Sequence, residues 1–178
     1  VVLLALACSA IAPYDRATWL LEVAPVLIAA PLLLWSHQRL PLTRLLYVVI
    51  AVHALILILG GAYTYARVPI GFVVQDWFDL ARNPYDRFGH FMQGFVPAIL
   101  ARELLLRTSP LRPGTWLAYV CVAAALSFSA FFEMLEWWAA LAWGGAADAF
   151  LATQGDVWDT QWDMFLAMVG AMLSVALL

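Results

Sequence analysis

Long apolar runs recur along this chain, each close to the length that crosses a bilayer. A helix needs about 20 mostly apolar residues to span the hydrocarbon. In lipid the backbone must satisfy its own hydrogen bonds, so runs of this length that carry few charges form helices. The runs predict spans over residues 17–35, 42–62, 87–106, 116–143 and 160–178. A shorter run, Val1 to Ala12, predicts a first span that residues before Val1 would complete. The expectation is an all-α, polytopic transmembrane bundle of about six spans, forming a single integral membrane domain over 1–178.

Composition excludes the alternatives. The 178 residues are 65% hydrophobic and 12% charged, with a mean hydropathy of +0.88. A soluble domain carries about 25% charged residues, and a water-soluble fold of this size could not hide so much apolar surface. The net charge is only -3, and all nine basic residues are arginines. No basic stripe points to nucleic acid. Cys8 and Cys121 lie in apolar stretches and read as small hydrophobes rather than as a disulfide or a Cys metal site.

Local signals set the boundaries. Ala10-Ile11-Ala12 resembles a signal-peptide cleavage site, but Pro13 follows it directly, so a retained first helix is expected. The second span contains Glu22, Pro25 and Pro31. Pro41 suits the start of the third, which holds His53 mid-span and ends near Gly60 and Gly61. Residues 63–85 break the pattern. Tyr63 and Tyr65 suit a membrane interface. Phe72, Val73, Trp77 and Leu80 could form one face of a short helix lying on the membrane. Asn83-Pro84 marks a turn, which places Asp86 at a helix N-cap. Ser109 to Pro113 is a connector, and Gly144-Gly145 ends the fifth span.

Arginines give the orientation. Arg39 and Arg44 follow the second span; Arg107 and Arg112, with Arg102 nearby, follow the fourth. The positive-inside rule assigns these loops, and both termini, to the cytoplasm. The loop with Arg67, Arg82 and Arg87 is an exception, but it also carries Asp76, Asp79 and Asp86, which can pair with its arginines.

Acids then converge on the other side. Asp86 and His90 are four apart on one helix face, and Gln93 lies one turn deeper. Glu133 and Glu136 are three apart; Asp156, Asp159 and Asp163 follow at spacings of three and four. Glu22 is near the same end of the second span. A charge at mid-bilayer costs roughly 2.5–3.5 kcal/mol or more, so several together need partners, water or a metal ion. The bland reading is an ion-paired cluster locking the spans, with Asp86 an N-cap and His53 a satisfied histidine. The E-x-x-E pair of Glu133 and Glu136 resists that reading best, because it is expensive on an apolar helix without a cation. Trp137, Trp138, Trp158 and Trp162 flank the acids, as interface anchors or as walls of an amphiphile-binding cleft. Ala167, Gly170, Ala171 and Ser174 form a small-residue face for close packing.

Three blocks carry a resemblance: Asn83 to Phe95 (NPYDRFGHFMQGF), Glu133 to Trp138 (EMLEWW) and Gln154 to Met164 (QGDVWDTQWDM), with Tyr63-Thr64-Tyr65. Together they resemble the YjdF-like family of bacterial inner-membrane proteins, over nearly the whole chain. That family carries no established biochemical activity. A looser likeness is to the VanZ-like proteins, associated with glycopeptide resistance and the cell envelope. Asp86-Arg87, His90-Phe91, Glu133, Glu136, Asp159 and Gly170 fit their pattern, with Asp163 where it has Asn.

Three functions are weighed. The first is an enzyme acting on an envelope lipid or lipid-linked precursor at the outer leaflet. His90, Glu133, Glu136, Asp159 and Asp163 would hold a divalent cation or serve as acid and base. Arg82, Arg87, Asp86, Gln93 and Asp156 would contact the amphiphilic substrate, an arginine holding its phosphate. The second is a non-catalytic envelope or assembly factor whose acids are structural ion pairs. The third is a proton- or cation-coupled transporter, disfavoured because the polar set is one-sided.

Overall fold

A computed structural model describes residues 1–144 and 148–178. Every regular element among the described residues is a helix: α1 (Val2–Ser9), α2 (Arg16–Ser36), α3 (Arg44–Tyr63), α4 (Pro69–Trp77), α5 (Tyr85–Thr108), α6 (Thr115–Trp143), α7 (Asp148–Leu151) and α8 (Asp159–Ala176). Their starts have local causes. The side chains of Asp15 and Thr43 accept the backbone N–H of Thr18 and Leu46, at 2.7 and 3.3 Å, and so cap α2 and α3. Pro69 opens α4, where its missing N–H costs nothing. The end of α3 is tight: Thr64 turns left-handed at φ 58°, and the Tyr65 ring lies where a side chain on Gly60 would be. Gly144, with φ 56°, follows α6; Gly145 lies outside the described residues.

Membrane-crossing character is uneven. Three of the described helices, α2, α3 and α6, are long and apolar enough to cross a bilayer. Pro25 and Pro31 sit inside α2 without ending it. α5 and α8 coincide with the fourth and sixth predicted spans. At 24 and 18 residues they reach about 36 and 27 Å at about 1.5 Å per residue. They fall short in apolarity, not length, because they carry His90, Gln93, Asp159 and Asp163. α1, at eight residues, is shorter than the first predicted span. Asp86 is not an N-cap: α5 starts one residue earlier, and Asp86 lies in its first turn. The turn before it is made by Asn83, whose Oδ1 accepts the Tyr85 N–H at 3.0 Å. The apolar residues Phe72, Val73, Trp77 and Leu80 are exposed on and just beyond α4.

The chain divides into two compact units. The first comprises Val1–Asp86 and Ala139–Asp156. In it α3 packs against α1 and α2, and α2 meets α7. Val23, Val26 and Ile58 form one buried cluster; Tyr65, Val68, Tyr85 and Ala152 form another. Glu22 is buried on α2, its Cβ side against Gly61 of α3.

The second unit comprises Arg87–Trp138 and Val157–Leu178. The buried face of α8 reads Asp159, Asp163, Ala167, Gly170, Ala171 and Ser174. Acids fill its first half and small residues its second. The small half lets α5 approach backbone to backbone: a Cβ on Gly94 would strike the Ala167 carbonyl, and one on Gly170 the Phe91 carbonyl. Ala98, Ala125 and Ala171, from α5, α6 and α8, form a dry layer.

This crossing predicts that Gly94→Ala costs upwards of about 3 kcal/mol, the upper end of overpacking, because backbone rather than a flexible side chain must give way. A melting temperature in detergent equal to wild type would disprove the contact. The cap of α2 gives a pH prediction. The Thr18 N–H holds the Asp15 carboxyl below its ordinary range. A group depressed on folding stabilises above its unfolded pKa, and that stability drains as pH falls through the folded value. Thermal stability should therefore drop from about pH 4 downward more steeply in wild type than in Asp15→Asn, which keeps a capping oxygen; parallel curves would contradict this.

Candidate functional site

The predicted site residues occur in both units. In the first unit Arg82 pairs with both Asp86 and Asp156. Arg82 Nη2 lies 3.4 Å from Asp86 Oδ2, and Nη1 lies 3.8 Å from Asp156 Oδ2. The same guanidinium donates to the Ala152 carbonyl at 3.2 Å. A reciprocal pair reinforces it: the Asn83 N–H donates to Gln154 Oε1, and Gln154 Nε2 donates to the Asn83 carbonyl, both at 3.0 Å. Asn83, fully buried, also donates through Nδ2 to the Val68 carbonyl. Ala152 and Gln154 both adopt left-handed backbone at φ 50°, a conformation that non-glycine residues hold only when their surroundings fix it. Residues 82–86 and 152–156 are thus bound to each other through side chains that sequence reading assigned to a substrate.

The second unit holds His90 and the remaining predicted acids. His90 comes from α5, Glu133 and Glu136 from α6, Asp159 and Asp163 from α8. One ligand atom from each of His90, Glu133 and Glu136 lies within 4.8 Å of the other two. Ligands of one ion sit about 2.0–2.6 Å from it, so they are at most about 5 Å apart; the three atoms meet that limit. His90 stands between two carboxylates, with Nδ1 3.6 Å from Glu133 Oε1 and Nε2 4.0 Å from Asp163 Oδ2. Both separations exceed the usual hydrogen-bond range of about 2.7–3.2 Å. The ring also meets the edge of Phe132. His90, Glu133, Asp159 and Asp163 are all buried, none more than 7% exposed, while Glu136 is partly buried. Such a collection of acids in an apolar unit needs charge compensation. Arg87, one turn before His90, places its guanidinium over the Trp162 ring, 5.3 Å from its centroid.

Two polar groups border this set. Gln93 follows His90 by one turn and is 7% exposed; its buried Oε1 makes no hydrogen bond among the described residues. Ser129 precedes Glu133 by one turn, is fully buried, and its Oγ likewise makes none among the described residues. Sequence reading named Gln93 but passed over Ser129, since a serine in an apolar span is unremarkable. Its spacing of four and seven before Glu133 and Glu136, one face of α6, was the available signal. The exposed aromatic rings of Trp137, Trp138, Trp158 and Trp162 adjoin Glu136, Asp159 and Asp163 in sequence.

Comparison with known proteins agrees with the membrane reading. The chain is 55% identical over 168 residues to the inner membrane protein YjdF of Escherichia coli (strain K12), covering 94% of this chain and 80% of that protein. No solved structure matches. The whole chain, residues 1–178, matches the family described as predicted membrane protein (DUF2238), and to that family of membrane proteins the chain belongs.

Proposed function

We propose that this chain is a multi-pass protein of a bacterial inner membrane that holds a divalent cation on His90, Glu133 and Glu136, with Asp163 and Asp159 beside them, and uses it on a phosphate-bearing lipid or lipid-linked precursor. The observation that carries the reading is the approach of three ligand atoms from two helices to within 4.8 Å of one another. The donor set is rich in oxygen, which suits magnesium, manganese or calcium; the imidazole also admits zinc. A cation so held polarises a phosphoryl oxygen or activates water. A carboxylate not engaged with the cation, Asp159 or Asp163, would serve as base. The flanking tryptophans support a location at headgroup depth, and the arginines of the loops near 39–44 and 107–112 support cytoplasmic termini with the site toward the outer leaflet. The inner-membrane assignment rests on the name of the Escherichia coli relative.

The main competitor is a non-catalytic envelope factor in which His90 bridges Glu133 and Asp163 as structural glue. The geometry of His90 between two carboxylates favours it. A coupled transporter is supported less, because the alanine layer of Ala98, Ala125 and Ala171 lies two turns of α8 beyond Asp163 and offers no polar group.

Purified full-length protein titrated with manganese should bind the ion and gain thermal stability by linkage. Glu136→Gln should weaken binding by more than about 100-fold, beyond the 10–100-fold effect of an outer-shell change. Glu103→Gln, at an exposed pair with Arg107, should leave binding unchanged. Equal, weak binding by all three proteins would favour the structural reading.

A further inference from the structure

The residues bordering the cation site bear on what else the site holds, and this inference rests on the cation reading above. Gln93 Oε1 and Ser129 Oγ are buried polar atoms with no hydrogen bond among the described residues. Leaving such an atom unsatisfied costs about 1–3 kcal/mol, and most buried polar groups avoid that cost. Here two of them border the same three-residue set, on different helices. Gln93 is three residues past His90 on α5, and Ser129 is four residues before Glu133 on α6. Each is therefore on the face of its helix that carries a proposed ligand. Beyond them along each helix come Ala98 and Ala125 of the dry alanine layer. The order along α5 and α6 is thus ligand, orphan polar group, apolar floor.

The chemistry of the two atoms narrows the occupant. An amide oxygen accepts hydrogen bonds and cannot donate; a serine oxygen can accept. Either oxygen can ligate a hard cation, but each stands one turn, about 5.4 Å, along its helix from a proposed ligand, which suits a contact through a bound water. A phosphoryl oxygen, itself an acceptor, would face Gln93 Oε1 acceptor to acceptor. A water bound to the cation through its lone pair has two O–H donors left, one for each orphan oxygen.

We propose that the site binds its cation together with an inner-sphere water, whose two O–H groups donate to Gln93 Oε1 and Ser129 Oγ on the side facing the alanine layer. Gln93 and Ser129 are then positioning residues. They fix the orientation of the water, and they leave its place to be taken by a substrate hydroxyl, which can also donate.

Manganese bound to the full-length protein in heavy water tests this, with deuteron electron–nuclear double resonance reading the exchangeable inner-sphere water. Wild type should show a bound, ordered water. Ser129→Ala and Gln93→Leu should each bind manganese about 10-fold more weakly, as expected for outer-shell partners, and should show a shifted or broadened deuteron coupling. Without the metal, both variants should melt at or above the wild-type temperature, since each removes an unsatisfied polar atom. Unchanged affinity and unchanged deuteron coupling in both variants would overturn the inference while leaving the cation site standing. A drop in metal-free stability with normal coupling would also overturn it, assigning the two residues to structure. Failure of wild type to bind manganese would remove the cation reading itself. Should Gln93→Leu fail to fold, Gln93→Met and the conservative Ser129→Thr, which keeps an acceptor and should retain the wild-type coupling, supply the same comparison.

Discussion

Everything distinctive in the second unit follows from charged and polar groups held inside an apolar helix bundle. Lipid offers no solvation to an ionised carboxylate, so each buried acid must be compensated by a neighbour, by water or by an ion. α8 shows how the chain manages this. Its single buried face carries Asp159 and Asp163 in one half and Ala167, Gly170, Ala171 and Ser174 in the other. The small half fixes the helix against α5 through backbone contact at Gly94 and Gly170. That contact sets the separation at which the acidic half faces His90. Packing and polar chemistry are consecutive parts of one helix face.

The first unit meets a similar problem with a guanidinium. Arg82 is shared among Asp86, Asp156 and the Ala152 carbonyl, and the Asn83–Gln154 pair closes the remaining backbone groups. One guanidinium there faces two carboxylates. The set of His90, Glu133, Glu136, Asp159 and Asp163 has acids in excess, with Arg87 as the arginine of its own stretch of α5.

Much of this was legible in the sequence. Apolar runs placed α2, α3 and α6 within a few residues, because hydrophobic length is a direct readout of span. Apolar runs, arginine placement and helical spacing together point His90 and the acids of α6 and α8 to one side, and ligand atoms of His90, Glu133 and Glu136 lie within 4.8 Å of one another. Other features were not legible. The six-span expectation treated α5 and α8 as equal to the rest, whereas their site residues dilute their apolarity. Asp86 read as an N-cap because Asn83-Pro84 signals a turn, yet Asn83 itself makes the turn and Asp86 is freed to pair with Arg82. No pattern in the sequence announces the left-handed turns at Ala152 and Gln154, beside which the Ala152 carbonyl and Asp156 meet Arg82. Ser129 was missed because serine in an apolar helix is common and only its register with Glu133 and Glu136 marks it.

Anomalous diffraction at the manganese edge, from crystals of the full-length protein grown with manganese, would decide where the cation sits. The account predicts a peak about 2.0–2.6 Å from a His90 ring nitrogen and from carboxylate oxygens of Glu133 and Glu136. A map with no peak there, or with manganese only at surface acids, would contradict it.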